Sequence, residues 1–158
     1  MGIVVALAAL VVLALGGSPP AAQVVDAETG FPLCPAAGRT RLVSAVDRTI
    51  AQAVAVAYVG ALQSGNVSRA LGYADAGSVE ATKHLARVGL PGRDDVRPSA
   101  GRAAPLAHDP LGRAIAGRCG PDVLAATLAV DVRLADSQPT VRALLVRRLD
   151  RFLVFSVR

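Results

Sequence analysis

Aromatic residues are scarce in this chain. They make up 3% of its 158 residues, and there is no tryptophan. A core built on large rings is therefore excluded, and small and branched aliphatic side chains must fill it. Each of these buries less area than a Phe or Trp. Lysine is nearly absent too: Lys83 is the only one among 17 basic residues. With no aromatic stacking platforms beside the arginines and no recognisable reading helix, nucleic acid is not an expected partner. Histidine and cysteine number two each, His84 with His108 and Cys34 with Cys119. None are spaced as local ligand pairs, so no metal or other cofactor is expected.

What is present is aliphatic and basic. Hydrophobic residues reach 53%, and the formal net charge is +5. The length suits one domain once the N-terminus is set aside. Ile3 to Leu15 is an unbroken apolar run of 13 residues, ended by Gly16-Gly17-Ser18-Pro19-Pro20. A membrane span needs about 20 residues, so residues 1–20 read as a signal peptide or membrane anchor. No Lys or Arg precedes the run, and no good small-x-small cleavage site follows it. The expected location is extracytoplasmic, secreted or anchored to the cell membrane through this segment.

Residues 21–42 read as a linker, with Pro32, Pro35 and no apolar period. Residues 43–158 read as an α+β domain. Ser44 and Asp47 offer N-cap chemistry. Val43, Val46, Ile50, Val54, Ala57 and Ala61 recur at helical spacing, and Gly65-Asn66 supplies the stop. A short helix over Val67 to Ala74 and another over Ser78 to Val88 follow. Residues 89–121 form an irregular Pro/Arg-rich segment. Within it Asp109 can cap a short helix that Pro110 begins. From Val123 the period becomes two: Leu124, Leu128, Val130, Val132 and Leu134 share one face, and Thr127, Asp131 and Arg133 the other. A strand over Val123 to Ala135, a turn at Asp136 to Pro139, a strand over Thr140 to Leu149 and one over Phe152 to Val157 make an antiparallel meander.

The helix Ala51 to Leu62, its Gln63-Ser64-Gly65-Asn66 ending and the short helix after it resemble the opening of the cystatin-like, cone-shaped α+β superfamily. That superfamily includes nuclear transport factor, ketosteroid isomerase and many small actinobacterial envelope proteins. Arg147-Arg148-Leu149-Asp150-Arg151-Phe152-Leu153-Val154 resembles its closing hairpin, with Asp150 and Phe152 where the family usually has Gly-x-Trp. The resemblance covers roughly residues 43–158. It implies two or three helices packed on a C-terminal antiparallel sheet. In isomerase-like members an acidic general base works beside an oxyanion site. By that resemblance Tyr58 and Asp75 would be pocket residues, with Asp131 a third candidate. The strand alternation sets Asp131 on the outer face.

In an exported chain Cys34 and Cys119 can form one disulfide or remain two free thiols. Arg142, Arg147, Arg148 and Arg151 on the meander are candidate contacts for an anionic surface. The function expected is a non-enzymatic envelope domain, exported or membrane-anchored, that binds a protein partner or an apolar ligand. Alternatives are a scaffold component of a membrane transport or secretion assembly, and a small-molecule enzyme on the same scaffold.

Overall fold

The computed structural model describes residues 26–27, 29–90, 97–107, 109–134 and 140–158. The expected leader or anchor at 1–20 and the turn at 136–139 lie outside the described residues. Helices α1 (Asp47–Gln63), α2 (Val67–Tyr73) and α3 (Val79–Val88) come first, with a 3-10 turn at Ala76–Ser78. Strand β1 (Ser99–Pro105) and helices α4 (Pro110–Cys119) and α5 (Pro121–Ala125) follow. The chain closes with β2 (Thr127–Arg133), β3 (Thr140–Arg147) and β4 (Phe152–Val157). All strand pairs are antiparallel, in the order β1-β2-β3-β4. This is an α+β fold with helices on a four-stranded sheet.

Helix α1 ends where the sequence indicates. Gly65 takes φ +66°. Its N–H donates to the Leu62 carbonyl, and the Asn66 N–H donates to that of Ala61, the paired bonds of a Schellman stop. Asn66 then opens α2, accepting from the Arg69 N–H at 3.0 Å. The face that α1 buries is not the expected stripe. Ala51, Ala55, Tyr58, Val59 and Leu62 are fully buried, whereas Val46 is 75% and Ile50 46% exposed. The helix is apolar nearly all round, so period alone cannot choose a side. The side carrying Tyr58 and Leu62 has more area to remove from water.

The sheet has a core on each face. Leu128, Val130, Val132, Ala143, Leu145 and Val154 face α1–α3. Ala129, Leu144, Val146 and Phe155 face Leu106, Ile115 and Val123, in a smaller core under α4 and α5. All three phenylalanines, Phe31, Phe152 and Phe155, are buried, so the few large rings are concentrated inside.

Two expectations about the middle of the chain change. The segment 89–121 contains a strand, β1, and the capped helix α4. Asp109 accepts from the Leu111 N–H at 2.8 Å, and Pro110 opens the helix. Residues 121–125 are helical rather than the start of a strand, because Gly120 at φ +95° reverses the chain and Pro121 begins a new turn. Among the described residues no helix is long and apolar enough to cross a membrane.

Candidate functional site

The segment read as a linker is fastened along the domain from Asp26 onward; the Asp26 carboxylate lies 2.8 Å from Arg158 Nη1. Phe31 is buried in the larger core, and Leu33 packs on the smaller one. The strap therefore passes from one side of the sheet to the other. Cys34 is bonded to Cys119 at the end of α4, 85 residues away in sequence. Further along, the Arg41 N–H donates to the Arg147 carbonyl and the Val43 N–H to that of Ala125. Composition suggested a loose connection; buried Phe31, Pro32 and Pro35 and these backbone bonds make it part of the fold.

The two pocket candidates are separated and each is occupied by a structural partner. The Tyr58 hydroxyl lies 2.8 Å from Thr82 Oγ1 inside the core. Burial pushes its phenol pKa up, only partly offset by that hydrogen bond, so Tyr58 stays neutral. Asp75 is 1% exposed. Its Oδ1 meets Arg148 Nη2 at 2.6 Å, and its Oδ2 accepts from the N–H groups of Ala36 and Gly77. Arg148 also donates to the carbonyls of Ala36 and Gly38. Strap, β3 end and the turn before α3 are thus tied at one point.

Two of the four arginines expected on an open anionic surface are consequently internal. Arg148 belongs to the Asp75 joint. Arg147 is 7% exposed, with its guanidinium 5.1 Å from the Phe152 ring centroid. Its Nε is 3.2 Å from Asp47 Oδ1, a charge contact without hydrogen-bond alignment. Alternation along β3 could not show that acids from α1 and the turn before α3 meet its end. Arg151 is exposed in the β3–β4 turn. Arg142 is half exposed but paired, with Nε 2.9 Å from Asp131 Oδ1 and Nη1 3.4 Å from Asp109 Oδ2.

That pair lines a cleft with a volume of about 310 Å³. It lies on the sheet face opposite α1. Asp131 and Arg142 are direct cross-strand partners on β2 and β3, and Ala129 forms floor beside them. Arg102, Ala104 and Pro105 enter from β1, and Leu106 and Asp109 form the wall at the start of α4. The hydrogen bond and charge of Asp131, with the charge of Asp109, raise the Arg142 pKa, so it remains a cation. Asp131 thus faces outward, as alternation indicated. The convergence with Arg102 and Asp109 was not legible, because it depends on an irregularity in β1 for Arg102 and on where the start of α4 lies for Asp109.

His84 lies exposed on α3, and His108 is outside the described residues. Among the described residues no three His, Cys, Asp or Glu side chains gather as a metal site. Compared with protein-family models, with curated proteins and with solved structures, the chain matches none.

Proposed function

We propose that this chain is a non-catalytic envelope domain, exported or held at the membrane by its N-terminal apolar run, that binds a partner outside the cytoplasm. The observation that carries the reading is the Cys34–Cys119 bond, which closes the strap onto α4. Such bonds persist in oxidising compartments and are rare in the cytosol. The apolar run upstream supplies the route to one.

A binding role is supported by how the polar groups are used. Tyr58 and Asp75, the residues suited to acid–base work, are held by Thr82 and Arg148. The space between α1 and the sheet is filled by fully buried Tyr58, Leu62, Leu128 and Leu145, which favours a protein or peptide partner over an apolar ligand. Leu42, Val46 and Ile50 stand exposed around the start of α1, and exposed apolar side chains of this kind suit contact with another protein. This also favours the reading in which the partner belongs to a membrane assembly. Three helices followed by an antiparallel meander support kinship with the cystatin-like superfamily. The α4–α5 pair on the opposite face is a departure from that pattern.

The test is fractionation of cells expressing the full chain, with N-terminal sequencing and thiol alkylation before reduction. Recovery from the membrane or extracytoplasmic fraction with no alkylated cysteine is the expected result. Recovery from the cytoplasm with both thiols alkylated would overturn the reading.

A further inference from the structure

The cleft owes Arg102 to a register shift. Ala100 pairs with Val132, but the next pair is Ala103 with Val130, so Gly101 and Arg102 together oppose Asp131. In unbroken register Arg102 would stand opposite Val130, on the face that packs against α1. The bulge moves it to the cleft side and gives the inward position to Ala103, which packs on the larger core. Bulges re-aim side chains in this way and recur beside binding sites. This one is fixed from both sides. A Cβ on Gly101 would come 2.8 Å from the Asp131 carbonyl oxygen. The Gly101 carbonyl accepts from Gln52 Nε2 of α1 at 2.7 Å.

The groups facing the cleft are unequally satisfied. Arg142 is held by two carboxylates. Asp109 uses Oδ1 on the Leu111 N–H and Oδ2 on Arg142. Asp131 uses Oδ1 on Arg142, which leaves Oδ2 as an acceptor. Arg102 is exposed and has no ion-pair partner among the described residues. The cleft therefore offers one unpaired cation and one available carboxylate oxygen, over a floor of Ala104 and Ala129. Its two arginines and two aspartates sum to no net charge, so neither a simple anion nor a simple cation is preferred.

We infer that this cleft binds a small zwitterion of amino-acid to dipeptide size, with its carboxylate on Arg102 and its ammonium on Asp131. The volume of about 310 Å³ lies at the small end of ligand pockets, which matches that size. Small apolar side chains fit the alanine floor. The inference rests on the binding-domain reading above but not on the compartment. A failed titration removes this ligand class and leaves the fractionation result standing.

The experiment is an amide NMR titration of the full chain in nonionic maltoside micelles. Three probes are used: L-alanyl-L-alanine, N-acetyl-L-alanine with only the negative charge, and L-alaninamide with only the positive one. The expected result is saturable shifts at Gly101, Ala104 and Ala129 with the dipeptide. Each singly charged probe should bind at least 10-fold more weakly. Arg102→Gln should weaken the dipeptide at least 10-fold while leaving the rest of the spectrum in place; Arg102 is exposed, so folding should not depend on it. The absence of a saturable shift overturns the proposal. So does equal binding of N-acetyl-L-alanine, or an Arg102→Gln variant that binds like the parent.

Discussion

Arg148 Nη2 lies 2.6 Å from Asp75 Oδ1, and the two side chains are 12% and 1% exposed. The pair is surrounded by its own hydrogen bonds: backbone N–H groups of Ala36 and Gly77 on the acid, carbonyls of Ala36 and Gly38 on the base. A buried ion pair stabilises only when its remaining polar atoms are satisfied, and removing one partner strands the other. Arg148→Met should therefore lower stability by about 3–5 kcal/mol, read as a drop in the urea midpoint. A loss below 1 kcal/mol would show that water reaches Asp75 and replaces the guanidinium.

The disulfide acts on the same strap by a different route. A cross-link spanning 85 residues removes unfolded-state entropy worth about 4.5 kcal/mol in the chain-entropy model. The double variant Cys34→Ser, Cys119→Ser should lose an amount of that order in urea denaturation, and reductant should do the same to the parent. The strap is also held at Ala36 by Asp75 and Arg148. Combining the serine pair with Arg148→Met should therefore give a loss different from the sum of the two, because the sites share a segment.

Elements that depend on local chemistry were legible in the sequence. The stop at Gly65-Asn66, the Asp109–Pro110 helix start and the alternation through Leu128, Val130 and Val132 all appear in the structure as read. What was not legible depends on partners distant in sequence. Val46 and Ile50 repeat at helical spacing as regularly as Ala51, Ala55 and Tyr58 do, and only the sheet decides which side is covered. Arg147 and Arg148 look like surface charge until Asp47 and Asp75 meet them. The bulge at Gly101–Arg102 inverts the facing of β1 without leaving any period to detect.

Helix α4 sits against the turn that precedes it at Gly112. A Cβ there would penetrate the Leu106 carbonyl, which is backbone and cannot swing away. On helix propensity alone, Gly→Ala would stabilise by about 1 kcal/mol. Overpacking against backbone costs about 1–3 kcal/mol or more and wins here. Gly112→Ala should therefore lower the melting temperature. The Leu106–Asp109 wall should move with it, seen as amide shifts at Ala104 and Asp109. Gly117, also on α4, has open space around its Cβ position, so Gly117→Ala should be neutral or stabilising and serves as the control.

Asp47 sets the acid limit of the α1–β3 joint. Its Oδ2 accepts from the Ser44 hydroxyl at 2.7 Å and the Ser44 N–H at 2.8 Å. Those two bonds are the main reason its pKa is lowered. Arg147 and Arg41 add to the effect, and burial opposes it. A carboxylate whose pKa is lower folded than unfolded stabilises the fold above its unfolded value, about 3.9. That contribution is lost as pH falls through the folded value. Stability of the parent should hold from pH 7 to about pH 5 and then decline toward pH 2. Asp47→Asn should be less stable at pH 7 and should show a shallower decline, so the two urea-midpoint curves converge in acid. Parallel curves from pH 7 to pH 2 would mean that Asp47 titrates alike in folded and unfolded chains, and that Ser44 and the arginines hold its position without stabilising its charge.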